Sequence, residues 1–229
     1  MAPFDFQNLQ LHRQQIRLFH LQPGEFHDPI SATLSIAYLG DCPKYEALSY
    51  VWGDPNVCFD ITVGGHTVPV TINSWAALRR LRGVREERVL WIDSHGIKQS
   101  DGIEKTYQVG LMTEIYRNTW RGLAWLGEFE EDAVLKPGMD LESYQDSGVT
   151  MDKNHAQLAF RFMDKLSKLS TDGHFTIETE NVLPGWVSVT RPEVTTIHRL
   201  VNLRYFTRIW TVQEFVLPPR VELVLGNAT

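Results

Sequence analysis

Cysteine is scarce in this chain of 229 residues, which carries two, Cys42 and Cys58, and no C-x-x-C. Neither a disulfide scaffold nor a zinc knuckle can be built from that pair, so a reducing compartment, the cytoplasm, is the expected setting. Positive charge is also short. With Lys+Arg 22 against Asp+Glu 28 and a net charge of -6, the chain has no general attraction to nucleic acid or to an anionic membrane, both of which depend on clustered Lys and Arg. No stretch approaches the roughly 18 apolar residues of a spanning helix. The N-terminus, M-A-P-F-D-F-Q-N-L-Q-L-H-R-Q-Q, lacks the apolar run of a secretory signal. Glycine loops of the G-x-x-x-x-G-K or G-x-G-x-x-G kind are absent, as is the nucleophile elbow G-x-S-x-G. The 8 histidines are dispersed without an H-x-x-x-H or H-E-x-x-H pair, so no metal site is expected. Cys58 has no adjacent base and reads as a structural thiol.

What remains is ordinary globular material, 43% hydrophobic and 22% charged, able to bury a sizeable core. After a loosely held lead-in over 1–12, the runs beginning at Ile16 and Ala32 have strand length and strand composition, with Pro23, Gly24 and Pro29 between them. The segment Y45-E-A-L-S-Y-V-W-G reads as a strand ended by Gly53-Asp54-Pro55. The run F59-D-I-T-V-G-G-H-T-V-P-V reads as a tight hairpin about Gly64-Gly65. A helix follows, capped by Thr71 or Asn73, running through Leu81 and closed by Gly83. V89-L-W-I-D is apolar on both alternations, as strands covered on both faces are.

A polar loop, S94-H-G-I-K-Q-S-D-G, leads to a helix over about 104–117. Tyr107, Leu111, Met112, Ile115 and Tyr116 lie on its apolar face, and G122-L-A-W-L-G is the next buried strand. Strand, helix and strand with short connections predict a right-handed crossover and a parallel pair. Residues 128–152 are acidic and turn-rich and read as an exposed excursion. Helices are expected near 153–169, 193–203 and 208–216, irregular chain over 170–192, and a last strand at R220-V-E-L-V-L-G. The stop just after that strand suggests a truncated domain.

Two acidic residues stand out. Asp93 ends a buried parallel-type strand, and ligands of open α/β sheets gather outside the carboxyl ends of strands; the alternative is that Asp93 caps the following loop. In R208-I-W-T-V-Q-E-F-V, a spacing of about 100° per residue makes Ile209, Val212 and Val216 the core stripe. Trp210 and Glu214 then share a flank at its border. A partly desolvated carboxylate beside an indole suits acid–base or ion-stabilising work, whereas a solvated glutamate is the plain alternative.

The segments Y45-E-A-L-S-Y-V-W-G-D, T71-I-N-S-W-A-A-L-R-R-L-R, L90-W-I-D, the spaced Glu104, Gln108, Met112 and I115-Y-R-N, W125-L-G and L203-R-Y-F-T-R-I-W-T-V-Q-E, in that order, closely resemble the fungal heterokaryon-incompatibility (HET) domain. The resemblance covers about residues 45–226. It implies a HET domain over 45–229, with residues 1–44 as a lead-in and strands packed on it. Members of the family act as the killing module of fungal non-self recognition, often inside longer proteins with sensor regions. A more remote likeness is to TIR domains, which have a flavodoxin-like fold and in many cases hydrolyse NAD. The expected fold is therefore α/β, a mostly parallel sheet flanked by helices, with an added N-terminal β-hairpin region.

On that likeness, W210-T-V-Q-E-F stands where TIR domains carry W-C-x-x-E-L, so the catalytic glutamate falls on Glu214. NAD would be a substrate rather than a resident cofactor. Cleavage of its nicotinamide–ribose bond passes through an oxocarbenium-like transition state, which a carboxylate beneath the ribose would stabilise. Trp52 or Trp210 would stack on a base, and Asp54 and Asp93 would bind ribose hydroxyls, although a core position is the plainer reading of each tryptophan. Self-association and sensor or partner proteins are the implied partners. Where the family has W-I-D-A-I-C-I-N-Q, this chain reads W91-I-D-S-H-G-I-K-Q, with Gly96 and Lys98 at the Cys and Asn positions, and Trp75 replaces the usual Leu. An enzymatic effector and a non-enzymatic, self-associating signalling module both remain open.

Overall fold

The computed structural model describes residues 8–10, 13–134, 151–167, 174–177 and 186–228. Ten strands are defined there: β1 Gln15–Leu21, β2 Ser31–Tyr38, β3 Glu46–Tyr50, β4 Cys58–Val63, β5 His66–Thr71, β6 Arg88–Ile92, β7 Arg121–Gly127, β8 His174–Ile177, β9 Trp186–Val189 and β10 Val221–Leu225. Six helices accompany them: α1 Ile72–Leu81, α2 Asp93–Gly96, α3 Gly102–Arg117, α4 Lys153–Ser167, α5 Arg191–Val201 and α6 Thr211–Val216. Eight strands form one sheet in the order β10-β7-β3-β6-β1-β2-β4-β5.

The half from β10 to β6 is wholly parallel. Counted from β3, its strands run second, first, third, fourth across the sheet, the flavodoxin-like order in which the chain reverses direction beside its first strand. The N-terminal hairpin β1–β2 joins this half through an antiparallel β1–β6 pairing. The outer hairpin β4–β5 then adds to β2 through a short parallel contact. Gly64 and Gly65 take φ of 57° and 83°, the left-handed pair that a two-residue hairpin turn needs.

The predicted parallel pair of strands flanking α3 is corrected in one respect. β6 and β7 are parallel to a common neighbour but not to each other's edge, because β3 pairs with both. The expected polar loop after β6 begins as one helical turn, α2. The helix after β5 is capped by Thr71, whose hydroxyl accepts from Ser74 N, and ends with an extended Arg82 rather than at Gly83. Asn73, free of capping duty, turns inward. Irregular chain was expected over 170–192, yet β8 and β9 pair there as a separate parallel ribbon. The acidic excursion is anchored rather than exposed at both ends, with Glu128, Phe129 and Met151 buried and a bridge between Phe129 and Met151; its middle, 135–150, lies outside the described residues.

Alternation along β3 divides its side chains between the two faces. Leu48 and Tyr50 pack with Leu90, Ile92, Leu123 and Trp125 against Ala76, Ala77, Leu78 and Leu81 of α1. Tyr45 and Ala47, on the other face, pack with Trp91 against Leu111, Met112, Ile115 and Tyr116 of α3. Full burial of each of these larger side chains contributes about 1.5–3 kcal/mol. Buried polar groups are tied into the same packing. Tyr45 donates its hydroxyl to Ile115 O at 2.6 Å, and Trp125 Nε1 donates to Asn73 Oδ1 at 2.8 Å. The strand whose carboxyl end faces the cleft is thus held from both sides.

Candidate active site

Asn73 also donates Nδ2 to Val51 O at 2.6 Å, fixing the chain just past β3. Trp52 leaves the sheet there, and Gly53, at φ 80°, turns the backbone away behind it. The Trp52 indole donates Nε1 to both carboxylate oxygens of Asp93, at 3.0 and 2.9 Å. Asp93 follows β6 and opens α2; Ser94 N donates to its Oδ1 at 2.7 Å, and Gln99 Nε2 donates to its carbonyl at 3.0 Å. A buried ion pair supports the loop that Asp93 begins. Arg17 donates to Gly96 O at 3.0 Å and to both oxygens of Glu104 at 2.6 and 2.9 Å, and Lys98 N donates to Glu104 Oε1 at 2.7 Å. Asp93's carboxyl is pushed up to about 6, chiefly because burial disfavours its charge and secondly because Glu214 is close.

Glu214 is 3% exposed. Ser49 Oγ donates to its Oε2 at 2.5 Å. Arg208 Nη1 approaches the same oxygen at 3.4 Å while donating to Tyr50 O at 2.7 Å. Tyr205 OH lies 2.8 Å from Ser49 Oγ. A serine hydroxyl has one proton, here committed to the carboxylate, so Tyr205 must be the donor to Ser49. Burial pushes the Tyr205 hydroxyl up to about 12, which keeps that proton in place at neutral pH. Both contacts to the carboxylate, from Ser49 and Arg208, go to Oε2. Among the described residues Oε1 makes none, and the side chain lines an open cleft of about 400 Å³.

Four of the five expected site residues meet at that cleft: Trp52, Asp93, Trp210 and Glu214. Asp54 does not. It is exposed and its Oδ1 accepts from Asn56 N and Nδ2 at 2.8 and 2.9 Å, closing its own turn outside the cleft lining. Arg208 and Lys105 add two cations to the lining beside the two carboxylates. Neither was anticipated. Arg208 stands in the same short run as Glu214, six residues earlier, and that spacing was the available signal. Ser49 was equally legible as the one serine in β3, between Leu48 and Tyr50.

The helical stripe predicted around Glu214 is inverted. Ile209, Val212 and Val216 are 84%, 67% and 70% exposed, while the glutamate faces the interior. Two features override the apolar spacing. The helix is only Thr211–Val216, with Arg208 extended before it, so no long stripe exists. The interior position also supplies Ser49 and Arg208, which compensate a buried carboxylate that would otherwise cost several kcal/mol. The outward face, with Trp210 at 47% exposure, forms part of an apolar groove of about 600 Å³ that reaches Thr113 on α3.

Chemically, the cleft offers a carboxylate with one restrained and one unengaged oxygen, a second carboxyl that holds its proton more readily than usual, two cations and two indoles. Such a set can bind a phosphorylated sugar and stabilise positive charge developing on it. Among the described residues no group of three or more His, Cys, Asp or Glu is placed to hold a metal ion, and no helix is long and apolar enough to cross a membrane.

A sequence model of the family described as "Heterokaryon incompatibility protein (HET)" matches residues 45–214, the span from the start of β3 to the buried glutamate. The chain is also 30% identical over 230 residues to "Heterokaryon incompatibility protein 6, OR allele" of Neurospora crassa, an alignment covering 88% of this chain and 32% of that protein. The chain thus spans about a third of the length of that relative. No solved structure matches.

Proposed function

This chain belongs to the heterokaryon incompatibility (HET) family, and from that premise we propose that it is an effector domain of fungal non-self recognition that triggers cell death by hydrolysing NAD at the nicotinamide–ribose bond. The observation that carries the chemistry is the convergence of Glu214, Asp93, Trp52 and Arg208 on one cleft at the carboxyl ends of β3 and β6, where the parallel half of the sheet reverses direction. Glu214 stabilises the oxocarbenium-like ribose through Oε1, while Ser49 and Arg208 hold Oε2 and keep the carboxylate oriented. Asp93, fixed by Trp52, engages ribose hydroxyls. Lys105 and Arg208 balance the charge of the phosphates.

A second reading is supported by the outward face of α6. A contiguous surface formed by Ile209, Val212 and Val216 is unusual on a lone soluble domain and fits self-association, with signalling by assembly and no turnover. The two readings part in one experiment. The purified protein is incubated with NAD and nicotinamide release is followed while oligomeric state is monitored. Release by the wild type and not by Glu214→Gln supports the enzyme. A folded, self-associated wild type that releases none supports assembly alone.

A further inference from the structure

Trp52 has a cavity on each side. The cleft just described lies on one side, and the other side opens a cavity of about 410 Å³ between the carboxyl end of β3, strand β5 and the α2 loop. Its lining contains no Lys, Arg, Asp or Glu. The polar groups there are neutral. Ser74 Oγ lies 3.0 Å from His95 Nε2, and Tyr50 OH lies 2.6 Å from Ser94 Oγ. Burial lowers His95 to about 4, so its ring is uncharged at neutral pH. Gln99 completes the set, with Nε2 spent on Asp93 and a buried Oε1 left without a partner among the described residues. The remaining wall is apolar, from Val68, Val70 and Ile97. A carboxamide-bearing ring suits this mixture, whereas a phosphate or a fixed charge would lose its hydration without compensation.

We propose that this hairpin-side cavity is the leaving-group pocket of the site, taking the neutral carboxamide-bearing ring that is released when the glycosidic bond breaks. The inference rests on the NAD-cleavage reading. In that reaction the C1′–N1 bond breaks and its electron pair goes to the ring nitrogen, cancelling the pyridinium charge. The positive charge passes to the ribose, water adds to C1′, and a proton is released. Two adjacent cavities of opposite character match this redistribution. The ribose gains charge beside Glu214 and Asp93 while the ring loses charge in a pocket without ions. A pocket that binds the neutral ring better than the cationic one favours the transition state over the bound substrate. Trp52, shared by both linings, is the wall at which the bond would lie.

Binding of nicotinamide and of 1-methylnicotinamide, its permanently cationic counterpart methylated at the ring nitrogen, to the full chain measures this directly by titration calorimetry or saturation-transfer NMR. Nicotinamide should bind, and the cation should bind about tenfold more weakly or worse. Ser100→Trp, an exposed rim position, should abolish nicotinamide binding while leaving ADP-ribose binding in the Glu214 cleft intact; Val68→Trp provides a second block from the other wall. Equal binding of the two ligands, absent nicotinamide binding in the wild type, or unchanged binding in both blocked variants would overturn the assignment. If NAD is not cleaved but nicotinamide binds and Ser100→Trp prevents it, the cleavage reading falls and the neutral-ring pocket stands.

Discussion

Replacing Arg17 by methionine tests how the α2 loop, and with it Asp93, is held. Arg17 is 1% exposed and Glu104 5%. The guanidinium donates to both carboxylate oxygens and to Gly96 O, and the carboxylate also accepts from Lys98 N. Methionine keeps much of the arginine's length and volume but leaves Glu104 buried without its counter-ion. Breaking a buried pair from one side costs about 3–5 kcal/mol, a large part of the roughly 5–15 kcal/mol that stabilises a typical domain.

With a urea dependence of about 3 kcal/mol per M, the unfolding midpoint followed by tryptophan fluorescence should fall by about 1 M or more. Arg17→Met with Glu104→Met, which removes both charges, should recover most of that loss. The pH dependence supplies a second signature. Burial raises Glu104, but the hydrogen bonds and charge of Arg17 outweigh it, and the net effect lowers its pKa. A lowered folded value means that the stabilisation is present above the unfolded carboxylate pKa of about 4.3 and is lost as pH falls through the lower folded value. The wild type should lose stability in that acid window, and Arg17→Met should lose less of it. A single variant within about 1 kcal/mol of wild type, or a double variant whose loss equals the sum of the two singles, would refute the reasoning.

Asp93 has the opposite sign. Its folded value of about 6 lies above the unfolded value of about 3.9, so its favourable contribution is complete below about pH 4 and is lost as pH rises through 6. Asp93→Asn should therefore flatten the melting temperature between pH 4 and 7 and melt higher than wild type at pH 7, as scanning calorimetry across that range can check. Gly226 has φ 56°, and a Cβ there would sit 2.5 Å from two ring carbons of Phe129. Gly226→Ala should lower the melting temperature by several degrees, with a cost of about 1–2 kcal/mol from the left-handed backbone alone; an unchanged melting temperature would contradict that geometry. Val212→Lys with Val216→Lys changes two exposed positions and should shift stability by no more than about 0.5 kcal/mol per site. Sedimentation velocity should show reduced self-association in that variant, and an unaltered oligomer distribution would remove this face from the assembly reading.

The regular elements were legible because their signals are local. Gly64-Gly65 dictates a hairpin turn by backbone conformation, and V89-L-W-I-D is apolar on both faces because helices cover both sides of β6. The site was legible in part for a related reason. Trp52, Asp93 and Glu214 follow or precede strands of the parallel half, and strand order brings their ends together. The orientation of Glu214 was not legible from spacing. Its six-residue helix is too short for an apolar stripe to govern. Ser49, which draws it inward, reaches it from β3, and Arg208 comes from the extended chain before the helix, so neither partner lies on the helix itself. Asp54 stays out of the cleft for a local reason, since its Oδ1 closes a turn on Asn56 two residues later. The insertion of β3 between β6 and β7 likewise depends on pairing between strands distant in sequence, which no short window records.

The account turns on Glu214 acting at the ribose, and single-turnover kinetics with NAD test that most directly. With wild type and Glu214→Gln compared at saturating substrate, the rate of nicotinamide release should fall by about a hundredfold or more while the Kd for NAD changes by less than about threefold, the pattern of an interaction made in the transition state. A Glu214→Gln protein that binds NAD and releases nicotinamide at the wild-type rate would contradict the assignment.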